Sequence, residues 1–178
     1  AAGDISKQLL SRLRYRLGDP GGIIYDTDAI YRALNFGFSH IANLLPDSAL
    51  WRLCAIDEVS VISGVQGYAL PDDFLRERIV TYKGLPARRW DVLELGTLGL
   101  GTLAAPSETS PYYYIWDGKI NFLFEVTAPG TFTVYYIKQP AEISNTVDPS
   151  LGLEVADLVE MTAQASLLQA SPETQPHA

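Results

Sequence analysis

Apolar residues in this chain keep helical spacing up to Pro46, change to alternation and aromatic runs, and return to helical spacing after Pro140. Helix first, strands in the middle and helix last define an α+β fold: two N-terminal helices and a C-terminal helix with a small antiparallel β-sheet. At 178 residues the chain has room for a single α+β domain over 1–170, with residues 171–178 as a flexible C-terminal tail. That tail, Ser171 to Ala178, is polar, carries two prolines and lacks an apolar stripe.

The first helix runs from Asp4 to Leu17, with Ile5, Leu9, Leu13 and Leu17 in one stripe and Asp4 or Ser6 as its cap. Arg12 and Arg16 share one side of it and Arg14 points elsewhere. Four Gly or Pro residues between Gly18 and Gly22 end it. The second helix is capped by Asp26 or Thr27 and carries Ile30, Leu34, Phe38, Ile41 and Leu45 at helical spacing. Gly37 leaves room for another backbone to approach. His40 reads as an interface or core-edge residue, because Phe36 and Leu44 one turn away offer no second ligand. The third helix is expected to start at Asp148-Pro149, delayed by Gly152 to about Glu154. Its buried stripe is expected to be Leu151, Val155, Leu158, Thr162, Ala165 and Leu168, with Asp157 and Glu160 off it.

Between the prolines, Trp51–Ile56, Val59–Ile62 and Arg78–Lys83 read as strands, and Asp72-Asp73-Phe74-Leu75 as one helical turn. Ala87–Trp90 is expected to pair back on the strand before it. Asp91–Leu95 is expected to form a short helix followed by a mobile loop; its Gly96, Gly99 and Gly101 lack the strand–helix context of a phosphate loop. Tyr112–Trp116, a tight Asp117-Gly118 turn, Lys119–Phe124 and Thr131–Ile137 predict a three-stranded antiparallel meander.

The sequence offers little to a catalyst. One cysteine and two histidines, His40 and His177, leave almost no material for a His-based triad or a multi-cysteine metal site. Cys54, between Leu53 and Ala55 in an alternating strand, reads as a buried inert thiol. The adjacent acid pairs are Asp57-Glu58 and Asp72-Asp73. The first would point to opposite faces of a strand, and the second reads as a capped turn. No catalytic residue, metal site or cofactor is assigned, and the chain is read as no enzyme. No apolar run is long enough to span a bilayer, and the first 17 residues lack the apolar core of a secretory signal. Charge is uneven: residues 1–90 carry 11 basic and 10 acidic side chains, a net +1, whereas residues 91–178 carry 2 and 11, a net −9. Such asymmetry is a solubility device or marks a surface facing a polyanion or a basic partner.

The stretch Tyr68-Ala69-Leu70-Pro71-Asp72-Asp73-Phe74, preceded by a glycine turn, is followed by a strand and Tyr82-Lys83-Gly84. Later come the Asp117-Gly118 hairpin, Tyr135-Tyr136-Ile137-Lys138-Gln139-Pro140 and a helix of leucines and small residues. In this order, over roughly Ile5 to Ala170, the chain resembles the head-to-tail adaptor (head completion, connector) proteins of tailed bacteriophages. It departs from their pattern at Glu125-Val126, where a proline often ends the hairpin strand.

The resemblance implies a structural protein of the virion, assembled in the host cytoplasm. It would form a homo-oligomeric ring, usually dodecameric, that joins the portal protein to a tail or nozzle protein. DNA would pass through the channel without specific binding, and no membrane is involved. Interface residues are then expected at Arg12, Arg14 and Arg16, at Tyr112, Tyr114 and Trp116, and at Glu154, Leu158, Met161 and Leu168. Two alternatives stand beside this one: a carbohydrate-binding β module of a phage or cell-surface protein, with Tyr112, Tyr114 and Trp116 stacking on a sugar, or a different neck or tail structural protein.

Overall fold

The computed structural model describes residues 3–91 and 105–170. Of the expected helix at Asp91–Leu95 only Asp91 is described; the glycines at 96, 99 and 101, the C-terminal tail and His177 lie outside the described residues. The chain divides into two compact units, one formed by the stretch up to Leu53 together with that from Gln139 on, the other by Cys54–Lys138. The first is helical and discontinuous in sequence; the second is built of strands.

The helical unit holds α1 (Asp4–Arg16), α2 (Thr27–Leu44) and α3 (Ala156–Ala170), the last preceded by a 3-10 turn at Leu153–Val155. The first two helices lie where their apolar periodicity put them. Asp26 caps α2 through the Ala29 N–H, and Ile30, Leu34, Phe38 and Ile41 are buried. Gly37 is the close approach expected of it. A Cβ there would sit 2.8 Å from the Val159 carbonyl oxygen of α3, so the two helices pack backbone to backbone at this point. The Asn35 side chain donates to the Ile143 carbonyl and accepts from its N–H, which pins the return segment onto α2.

Two helix assignments are corrected. Neither Asp4 nor Ser6 caps α1: Asp148 does. Its carboxylate accepts from the N–H groups of Gly3, Ile5 and Ser6 at 2.9–3.0 Å, and Ser6 donates its hydroxyl to the Val147 carbonyl. A carboxylate at a helix N-terminus satisfies orphan donors and meets the positive end of the dipole. Those three bonds, Ser6 foremost, hold the Asp148 carboxyl below the usual carboxylate range. Asp148 is therefore not the cap of the third helix. The buried face of α3 is also rotated from the expected stripe. Ala156, Val159, Glu160, Ala163 and Leu167 are buried, while Leu158, Ala165 and Leu168 are exposed.

The second unit contains β1 (Cys54–Val61), β2 (Gly67–Ala69), β3 (Phe74–Tyr82), β4 (Leu85–Pro86), β5 (Arg88–Arg89), β6 (Tyr112–Trp116), β7 (Lys119–Phe122) and β8 (Gly130–Lys138). They make two four-stranded sheets, ordered β1-β8-β3-β4 and β2-β7-β6-β5, antiparallel except for the short β5–β6 pair. Their inner faces share an aromatic core in which Tyr68, Tyr82, Phe122, Phe124 and Phe132 are all buried. The Phe122 ring lies 5.1–5.3 Å from those of Tyr82, Phe124 and Phe132, mostly edge to face. The fold class is thus α+β, with two small sheets where one was expected.

Within this unit the Asp117-Gly118 hairpin forms as read, both residues at positive φ (51° and 67°). The meander does not form. After β7 the chain crosses to the other sheet, and β8 pairs with β1 and β3. Trp51–Leu53 is a 3-10 turn, and the strand runs unbroken through Asp57 and Glu58, which fall on opposite sides of an alternating burial pattern. Asp72-Asp73 is a turn closed by the Phe74 N–H on the Pro71 carbonyl, after which β3 starts at once, so no helical turn forms. It is Leu85–Pro86 that pairs back on β3; Arg88–Arg89 lies parallel to β6. Cys54 is exposed, on an edge strand, and Arg78 Nη1 lies 3.3 Å from its sulfur.

Glu108 ties the segment after the undescribed residues to this unit. It pairs with Lys83 Nζ at 2.8 Å and accepts from the N–H and hydroxyl of Thr127, which holds its carboxyl down at about 2. A carboxyl lowered on folding stabilises above its unfolded value and loses that contribution as pH falls through its folded one. Protection of the Thr127 amide against hydrogen exchange is therefore expected to fade between about pH 4.5 and pH 2, and Glu108→Gln to show the faded level already at pH 7.

Candidate functional site

On α1, Ser6, Leu9 and Leu13 are buried, which turns Arg12 and Arg16 to the same side. Both meet α3. Arg12 Nε lies 3.0 Å from Glu160 Oε1 and Arg16 Nε 2.9 Å from Oε2, while an Nη2 of each reaches Asp157 Oδ1 at 2.7 and 3.0 Å. Two guanidiniums thus clasp two carboxylates one helical turn apart. The Glu160 side chain is 0% exposed. Burial pushes its carboxyl up, with Asp157 adding to that, and the two guanidiniums pull it back. Glu160 falls off the expected stripe by helical phase, yet it is buried; a carboxylate is seldom buried unless paired, and its pairing comes from the distant helix α1. The i, i+4 arginines facing an i, i+3 acid pair were the one available signal.

Of the two charged residues of α3, Glu160 is buried against α1, while Asp157 pairs with Arg12 and Arg16 and stays 73% exposed. Leu158, Met161, Ala165 and Leu168 line the outer face of α3, with Met161 60% exposed, and Glu154 is exposed at its N-terminal end. The interface residues expected on this helix are therefore all at the surface. Arg14 points elsewhere, as expected, and bonds the Thr27 hydroxyl at 3.0 Å. Its guanidinium also covers Gly22, where an added Cβ would fall 1.8 Å from Nη1.

Gly22 belongs to a loop that sequence reading noted only as a helix stop. Asp19, 3% exposed, accepts from the N–H groups of Ile23, Ile24 and Tyr25 at 2.7–3.1 Å. The Tyr25 bond leads in holding its carboxyl low. This locked loop leaves Ile23 91% and Ile24 69% exposed.

The aromatic strand β6 does not present its three rings together. Tyr112 is buried edge to face with Trp90, Tyr114 is partly buried and Trp116 is exposed. Tyr113, on the other side, is in the core, and burial raises its hydroxyl pKa. A stacking platform of Tyr112, Tyr114 and Trp116 is thereby lost, and the carbohydrate reading loses its site. The outer face of the first sheet instead shows Ile56, Tyr135 and Ile79 in register across three strands, all exposed.

Chemistry-bearing groups stay apart. Asp73 accepts the Tyr136 hydroxyl at 2.9 Å; burial first, and then this bond, push that hydroxyl up to about 12. A cleft of about 390 Å³ along α2 is lined by Arg32, Asn35, Ser39, Gln139 and Glu142 among others. His40 is exposed and stacks on Phe36. Among the described residues, no group of three or more His, Cys, Asp or Glu side chains could hold a metal ion, and none of the helices is long and apolar enough to cross a membrane.

What this surface offers is contact: exposed apolar side chains fixed on rigid elements. Comparison with known proteins agrees. The family model described as SU10 adaptor protein matches residues 6–175. The chain belongs to this phage head-to-tail adaptor family. It is a structural phage adaptor, a virion protein that associates with other head or tail components. A comparison with curated proteins gives no match. The match spans α1 to the end of α3, so it takes in both the clasp of the adaptor's first helix and the outer face of its last.

Proposed function

We propose that this adaptor is one subunit of a dodecameric ring seated between the portal and a tail or nozzle protein and continuing the DNA channel. The observation that carries this reading is the family match over nearly the whole chain. Two features support it. Large apolar side chains stand exposed on fixed elements of both units, as they do where neighbours cover them. Residues 91–178 carry a net −9, of which Glu108, Asp157 and Glu160 are paired with cations of residues 1–90; an acidic wall formed by the others would repel the phosphate backbone so that DNA slides without adhering. The arginines expected at the interface act first within the subunit, shaping the surface of α1 and α3; Trp116 and the outer face of α3 are the stronger contact candidates. We read the protein as having no catalytic role and no cofactor.

Electron microscopy of the purified protein mixed with its cognate portal tests the reading. A ring of density added beneath the portal, with a continuous central hole, is expected. A protein that leaves the portal bare at every concentration overturns it.

A further inference from the structure

We propose that Ile23 and Ile24 of one copy dock on the outer face of α3, around Leu158, Met161 and Leu168, of the next copy. The proposal rests on the ring reading above and gives it a specific subunit contact.

Four observations carry it. A helix apolar on opposite faces belongs between two partners, and α3 is such a helix. Val159 packs against Gly37 of α2, the side with Leu158, Met161, Ala165 and Leu168 is open, and of the helix's two charged residues Glu160 is buried on α1 while Asp157 is exposed and paired with Arg12 and Arg16. The isoleucine pair, in turn, stands on a loop that is already ordered. Asp19 holds three successive N–H groups and Arg14 lies over Gly22, so burying the pair costs little conformational freedom.

The surroundings of the two patches are also complementary. Arg14 sits beside the isoleucines and Glu154 at the end of the α3 face, so a cation meets an anion when they join. Finally, both patches belong to the same compact unit and are unlike, an exposed pair on a loop and an exposed side of a helix. Two unlike patches on one unit join copies head to tail, the arrangement that builds rings when its rotation closes.

The test uses the full-length protein with Ile23→Ser and Ile24→Ser together, and separately Leu158→Gln and Met161→Gln together. All four side chains are exposed, and matching thermal melts establish that both double variants fold. Native mass spectrometry then reads assembly, alone and on the portal. Wild type is expected to form rings, and each double variant to stay monomeric at tenfold higher concentration. An equimolar mixture of the two is expected to stop at heterodimers, because one variant keeps the isoleucines and the other keeps the α3 face. Variants that form rings like wild type overturn the proposal and leave the ring reading standing. So do variants that form rings but fail to hold the portal, which would give these faces to the portal. A wild-type protein that stays monomeric even on the portal overturns both.

Discussion

Replacing Arg12 and Arg16 together by alanine is expected to cost the helical unit about 3 kcal/mol at pH 7, the lower end of what unpairing a buried ion costs. The lower end applies because both arginines are partly in water, whereas Glu160 is not. With the guanidiniums gone, burial and Asp157 act on the Glu160 carboxyl without opposition, and its folded pKa climbs further above the unfolded 4.5. A carboxyl raised on folding binds more protons folded than unfolded, so its penalty is absent below the unfolded value. The penalty grows as pH rises toward the folded one. The double variant should therefore melt close to wild type near pH 4 and far below it at pH 7. Adding Glu160→Gln should restore most of the loss at neutral pH. Urea unfolding followed by helical circular dichroism across that range checks all three. An equal loss at every pH would mean the arginines act by packing alone.

Phe122→Ala is expected to cost the β unit about 3–5 kcal/mol. Its ring touches those of Tyr82, Phe124 and Phe132 and lies 6.2 Å from that of Tyr68, so truncation leaves a cavity bordered by aromatic side chains from both sheets. Rigid rings held on separate strands collapse poorly into such a space, which places the cost at the upper end of large-to-small changes. Loss of near-ultraviolet circular dichroism at a lower denaturant midpoint is the expected result. A shift below about 1 kcal/mol would show that the two sheets do not share that core.

These two sites differ in how legible they were in the sequence. The aromatic run around Phe122 announced strands, and Asp117-Gly118 announced their hairpin, because both signals are local. Which sheet β8 joins is decided by pairing with β1 and β3, far away in the chain, so alternation alone suggested a meander. Helices α1 and α2 were read nearly to the residue, since each has one apolar face and a defined stop. Helix α3 is apolar on two faces, and counting leucines selected the outer one. Glu160 and Asp148 were misplaced for a shared reason: each serves a helix at the opposite end of the sequence, and no nearby residue hints at it. The adaptor resemblance was legible because Tyr68–Phe74 and the segments after it keep their order. The projecting isoleucines were not, because nothing in Gly18–Gly22 says that Asp19 will gather the N–H groups of Ile23, Ile24 and Tyr25.

The partners of α1 also set a timetable for biosynthesis. Asp148, Asp157 and Glu160 leave the ribosome well after the helix they secure, with the whole of Cys54–Lys138 in between. Cys54–Lys138 is contiguous and can settle while translation continues, but α1 must wait for the segment that follows that unit. A chain cut short before Asp148 would therefore lack both the latch on α1 and the helix α3.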